Sequence, residues 1–213
     1  NYIHSVVVEE VVMQASLLGQ TEDGISDPLH ILDGAEIADM ATTSLGETLD
    51  SLAGVTSADY GSAVGQPILR GLSGLRVKVL TNGLVNRDVA GIGADHKNEV
   101  DLFDIQQVEV VRGPSSLLYA NGASGGIVNL VDNTIATSDV EEMSVKLGFE
   151  TQSVNSGDSQ NFAYSDNVGG LNLYFSYSDS AFGNYDIPNG AVLHEEEHHD
   201  DEDHDEEEHD EHD

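Results

Sequence analysis

The chain is 213 residues long, with 7 Lys+Arg against 40 Asp+Glu, 9 His, no Cys and no Trp, for a formal charge of −33. Nucleic-acid binding needs Lys and Arg to replace phosphate counterions, so this balance argues against a nucleic-acid partner and is compatible with attraction of cations. Without Cys there is no disulfide scaffold, thiolate metal site or Cys nucleophile, and without a run of about 18 apolar residues no transmembrane helix is expected.

Residues 1–20 contain two β-branched runs, Val6-Val7-Val8 and Val11-Val12, split by Glu9-Glu10. They read as an extended arm, either an ordinary first strand or a segment awaiting a partner strand. No basic n-region and apolar h-region open the chain, so either the protein is not secreted or a signal has been removed.

Residues 21–138 read as a compact unit mixing helices and strands. Asp33-Gly-Ala-Glu36 and Ser44-Leu-Gly-Glu47 fit the capping box, in which the N-cap oxygen and the Glu three residues on satisfy free amides. After the second, Leu45, Leu49 and Leu52 share one helical face, and Gly54 suits a C′ stop. Arg76 to Leu80 is a short strand followed by an Asn82-Gly83 turn. Ile105 to Val111 and Ile127 to Val131 are two more strands. Between them Gly113-Pro114 turns the chain, Ser115 to Tyr119 forms about one helical turn, and Gly122, Gly125 and Gly126 permit tight turning. A phosphate-binding reading of this glycine-rich stretch fails, because neither GxGxxG nor GxxxxGK[ST] is present.

Residues 139–183 alternate strictly. Met143, Val145, Leu147 and Phe149 are apolar, with Ser144, Lys146, Gly148 and Glu150 between them; Phe162 and Tyr164 repeat the pattern, as do Leu171, Leu173, Phe175 and Tyr177. Three strands with short polar turns match either a piece of a membrane β-barrel or a soluble meander with one wet face. Three strands cannot close a barrel, so the first reading requires the chain to be a fragment. Residues 184–213 end in a run, His194 to Asp213, made only of six His and fourteen Asp/Glu. Such a segment cannot build a packed core and should be disordered without a ligand.

The stretch RGPSSLLYANGASGGIVNLV, Arg112 to Val131, resembles the plug of TonB-dependent outer-membrane receptors. Pro67-Ile68-Leu69-Arg70-Gly71 is similar to the family's IRG element, Arg76 to Gly83 to its RV.VL.NG strand and turn, and Val108 to Pro114 to its IEVVRGP element. The resemblance covers roughly residues 5–180. It implies an α+β plug domain followed by the first antiparallel strands of a transmembrane barrel of about 22 strands, located in the bacterial outer membrane with the N-terminus periplasmic. It also implies TonB as the energising partner and outer-membrane lipid as the surroundings. The arm then becomes a strand donor to TonB's sheet edge. Two registers are open, Ser5 to Glu9 or the second run, Glu10, Val11, Val12, Met13, Gln14 and Ala15 through Ser16, which looks more like the family's box. Arg70 and Arg112 fall where plug arginines of the family pair with barrel glutamates, a role that suits the planar guanidinium fork.

Asp95-His96 lies in the loop Asp88 to Glu99, which would face the external side of the plug. A carboxylate beside a neutral imidazole is half a zinc site, and the pair resembles that of the family's zinc receptors, where barrel residues complete the ion's shell. In the terminal run His194, His198, His199, His204, His209 and His212 are interleaved with acids, so many weak overlapping sites would concentrate divalent metal, with imidazole favouring Zn, Cu and Ni over Ca and Mg. Neighbouring carboxylates raise His pKa values, so capture should weaken as protons compete. If the first barrel strand runs outward, Ser153 to Asp158 is outside, Asn167 to Gly170 is a periplasmic turn, and the chain after Phe182 is an external loop. Tyr177, Phe182 and Tyr185 then lie near the outer interface.

The expected function is energised zinc uptake by a receptor with no catalytic residues and no catalytic cofactor, zinc being the transported ion. Its alternatives are the same fold serving nickel, copper, haem or a siderophore, or a non-transporting metal-buffering protein that reuses a plug.

Overall fold

The computed structural model describes residues 29–184, apart from 41–43, 62, 94, 99 and 137. The arm, with Glu10 to Ala15, and the segment from Tyr185 through the His/acid run lie outside the described residues.

The plug is built on a five-stranded sheet of order β1-β6-β7-β4-β5. Its strands are β1 (Leu29–Asp33), β4 (Val77–Thr81), β5 (Leu84–Val85), β6 (Ile105–Arg112) and β7 (Gly126–Asp132). Only β4 and β7 pair in parallel; the other neighbours are antiparallel. Side chains alternate across β6 and β7, and both faces are covered. Val108, Val110, Val128 and Leu130 join Leu32, Ile37, Leu45, Leu49 and Leu69 in one core, while Val111 and Ile127 join Leu80, Ala120 and Ala123 in another. Two-sided burial explains why these strands read as nearly continuous apolar runs.

Both N-cap hydrogen bonds form, and the first capping box closes in both directions. Glu36 N donates to Asp33 Oδ1 at 2.8 Å while Asp33 N donates to Glu36 Oε2 at 3.1 Å, which starts α1 (Gly34–Met40). Glu47 N donates to Ser44 Oγ at 3.3 Å and starts α2 (Leu45–Leu49), burying Leu45 and Leu49. Gly54 is not the stop of this helix: the C-cap is Asp50, and Gly54 (φ 77°) turns the chain into β2 (Val55–Gly61). That strand pairs with β3 (Val64–Leu69), and neither is evident in the sequence. Pro67 in β3 obscures the pattern; a proline is accommodated because each strand of this two-stranded hairpin has one open side. Arg76 belongs to a 3-10 turn, Gly74–Arg76, rather than to the strand that follows. The Asn82-Gly83 turn is as expected, with both residues at positive φ (50° and 79°), the conformation of a tight two-residue hairpin.

The alternating segment forms an antiparallel sheet of order β10-β9-β8, from β8 (Ser144–Gln152), β9 (Gly157–Val168) and β10 (Leu171–Ala181); Met143 falls just before the first strand. The register aligns Val145 with Tyr164 and Phe175, and Leu147 with Phe162 and Tyr177. Phe162 and Phe175 pack with ring centroids 5.9 Å apart. This apolar face is exposed over Val145, Leu147, Phe149, Leu171, Leu173, Phe175 and Tyr177. The opposite face meets the plug. Asp104, buried at the entrance to β6, accepts from Asn133 Nδ2 (3.1 Å), Tyr174 OH of β10 (2.9 Å) and Lys146 Nζ of β8. Gly148 leaves room for the Phe103 ring, which would collide with any Cβ there. A sheet apolar on one side and polar toward a packed plug on the other is the arrangement of a barrel wall around its lumen.

Candidate functional site

The loop between β5 and β6 is shaped by its own polar groups. Asp88 Oδ1 accepts from Ala90 N at 3.2 Å and caps the 3-10 turn Val89–Gly91. A second turn closes with His96 N donating to Gly93 O at 3.3 Å. This geometry presents Asp95 and His96 side by side, with Nδ1 of His96 2.9 Å from Oδ1 of Asp95 and side-chain exposures of 42% and 68%. A carboxylate only accepts, so Nδ1 carries the proton and Nε2 of a neutral imidazole keeps the lone pair. A carboxylate so placed orients the ring and fixes its tautomer. Gly93 lies beneath the pair, where a Cβ would crowd both Asp95 Oδ1 and His96 Nδ1.

Among the described residues no third His, Asp or Glu joins these two in a cluster able to hold a metal. Asp95 and His96 therefore stand as an exposed, hydrogen-bonded pair. The next residue, Lys97, reaches the barrel: its Nζ lies 5.7 Å from the centroid of the Phe182 ring. Phe182 directly follows β10, and Gly183 N donates to Asn155 O (2.8 Å) in the turn between β8 and β9. The loop thus sits at the same end of the barrel sheet as the root of the segment leading to His194. The six His of that run lie outside the described residues.

Arg70 and Arg112 come together at another edge of the plug, on either side of Gly54. Arg112 ends β6 and donates to the carbonyl of Ala53 and to Nε2 of His30, while its Nε has no partner. His30 must accept through Nε2, because a guanidinium only donates. Burial and then the charge of Arg70 lower the Arg112 pKa. Arg70 is exposed, at φ 51°. Neither arginine has a carboxylate partner among the described residues, so an exposed Arg70 lies close to a buried Arg112 whose Nε–H is unsatisfied. Sequence reasoning missed Gln66, Asp104, Lys146 and Tyr174. The available signal was a polar residue inside an otherwise apolar stretch, as Gln66 is before Pro67-Ile68-Leu69.

Residues 22–127 match the family model of the TonB-dependent Receptor Plug Domain. This part of the chain is similar to the plug domain of TonB-dependent receptors, and the strands after it share the fold of the solved receptors' barrel strands. The vitamin B12 transporter BtuB of Vibrio vulnificus (strain YJ016) is 29% identical over 154 residues, covering 70% of this chain and 25% of that protein. Among solved structures, the ferric enterobactin receptor PfeA of Pseudomonas aeruginosa superposes with a TM-score of 0.60 at 18% identity, over 74% of this chain and 25% of that one. The copper transporter OprC does so with a TM-score of 0.58 at 18% identity, over 79% and 26%. At such identities the structural likeness speaks to the fold. The chain spans a quarter or less of the length of the curated relatives it matches, 25% and 20%.

Proposed function

We propose that the chain is the plug and barrel entry of an outer-membrane receptor that imports a free transition-metal ion, zinc in the first place, with TonB as its energy-coupling partner. The observation that carries this reading is the exposed Asp95-His96 pair followed by Lys97, whose Nζ lies over the ring of Phe182, at the root of the segment that leads into the His/acid run. With β8 running outward from the periplasm, that end of the sheet faces the exterior. The His/acid run then collects metal over the plug, and His96, oriented by Asp95, receives it. Imidazole and carboxylate donors without thiolate suit zinc. Barrel residues supply the remaining ligands.

The rest of the molecule supports the same cycle. Arg70 and Arg112, without carboxylate partners among the described residues, await barrel glutamates that hold the plug seated. The arm at Glu10 to Ala15 adds a strand to TonB, and pulling on it unseats the plug. Tight binding must be reversed to release the ion, which is why an external energy source is required. The exposed apolar face of β8 to β10 meets outer-membrane lipid.

Copper is the second reading, favoured by the likeness to a protein named as a copper transporter. Cells producing the complete receptor as their only uptake route, offered labelled zinc, copper, nickel, vitamin B12 or a ferric siderophore separately, test this. TonB-dependent accumulation of zinc supports the proposal. Accumulation of an organic chelate without zinc overturns it.

A further inference from the structure

Gln66 is a buried polar residue on β3, 4% exposed, far in sequence from the loop it touches. Its Nε2 lies 2.8 Å from the carbonyl oxygen of Ala90, 2.7 Å from that of Gly93 and 2.7 Å from that of His96. Three acceptors around one terminal atom admit only the amide nitrogen there, since the amide oxygen would be repelled by all three. The nitrogen has two protons, so the three carbonyls share them. The loop from Ala90 to His96 is therefore wrapped around a single side chain, and one of the three contacts is to the backbone of His96 itself.

The platform behind Gln66 is rigid. Its strand pairs with β2 through Ala58. On the other side α2 lies so close that a Cβ on Gly46 would strike the backbone of Gly65 and Gln66. A side chain fixed on such a base can hold a donor group in place far better than an exposed loop can by itself.

We propose that Gln66 is a positioning residue for the cargo metal: it pins the loop so that Asp95 and His96 are presented in one fixed orientation. This rests on the reading of Asp95-His96 as metal donors. Loss of a group that orients a metal ligand weakens metal affinity by about 10–100-fold, and that is the effect expected here.

The test uses the complete receptor in membrane vesicles with His194 to Asp213 deleted, so that zinc bound by the His/acid run does not mask the site at Asp95-His96. Gln66→Met keeps the length and removes the donors. It should raise amide hydrogen exchange across Val89 to Asn98, with β6 and β7 still protected, and weaken zinc binding about 10–100-fold. It should also alter the visible spectrum of bound cobalt, a reporter of ligand geometry that lost stability alone would not move. Unchanged loop exchange, or unchanged zinc affinity with an unchanged cobalt spectrum, overturns the proposal. Should Gln66→Met fail to reach the membrane, Gln66→Lys carries the test. It keeps N–H donors on a stem one bond longer and should retain loop protection and zinc binding; loss of both would contradict the pin. Asp95→Ala/His96→Ala separates the two readings. If that variant binds zinc as the parent does, the metal site falls, whatever Gln66 does to loop exchange. If it loses zinc while Gln66→Met does not, only the role of Gln66 falls.

Discussion

At the scale of single residues, the plug holds its neighbours through a few polar groups whose loss has separable consequences. Asp104 accepts from Asn133, Lys146 and Tyr174 at once, joining plug to barrel. Asp104→Ala leaves a half-buried amide and a half-buried phenol without their shared acceptor, a cost of about 1 kcal/mol per group, the low end of the range for a fully buried one. It should lower the denaturant midpoint of plug unfolding and increase leakage of large antibiotics through the outer membrane. A tight barrier with an unchanged midpoint would remove Asp104 from the plug–barrel contact. Gly93→Ala tests the other end of the loop. A methyl there displaces Asp95 from His96, so zinc affinity should fall while the plug's thermal midpoint stays put; equal affinity would show that the pair need not be joined. The sequence placed Asp95 next to His96, but their 2.9 Å contact comes from the turn that His96 N closes on Gly93 O, since adjacent side chains in a regular strand would point apart. Gln66 was not legible in the sequence, because its role depends on carbonyls 24 to 30 residues away.

At the scale of elements, local rules carried furthest where they are self-contained. Both capping boxes close reciprocally or in part within four residues, and Asn82-Gly83 makes its hairpin from two positive φ angles. Ser44→Ala should therefore cost about 1 kcal/mol of plug stability, read as a shift in urea midpoint. The β8 to β10 strands were legible from strict alternation, since one face carries exposed apolar side chains and the other carries the polar groups that meet Asp104. The hairpin of β2 and β3 was not: Pro67 and the polar run of Thr56, Ser57 and Asp59 hide a pair of strands held by α2 and the core around Leu69. Gly54, read as a helix stop, serves the entry to β2 instead, because the helix before it ends one turn early. Gly148 shows the reverse case, a strand glycine whose reason lies across the interface. Gly148→Val should prevent Phe103 from seating and reduce the fraction of receptor that resists protease in the membrane. Normal resistance would mean that the plug does not press on β8 there.

At the scale of the whole molecule, the proposed collecting role of the His/acid run, in a chain of charge −33, makes uptake depend on metal supply and pH. Deleting His194 to Asp213 should slow uptake mainly at scarce zinc and leave it near normal when zinc is abundant; equal loss at every concentration would count against a collecting role. Protons compete with metal for imidazole, whose ordinary pKa is about 6.5. Protonated His cannot bind, so capture by the run should fall as pH drops through that range and be full above it. Zinc retention on intact cells, compared with cells bearing the deletion, reads the difference directly.

The central claim is that the plug carries the selective donors for a free metal ion. The most direct measurement is zinc accumulation by cells bearing the complete receptor, parent against Asp95→Ala/His96→Ala, with the His/acid run intact and surface levels matched. The double substitution should abolish TonB-dependent zinc accumulation while metal is still captured at the surface. Accumulation equal to the parent's would contradict that claim and leave a receptor whose cargo is recognised elsewhere.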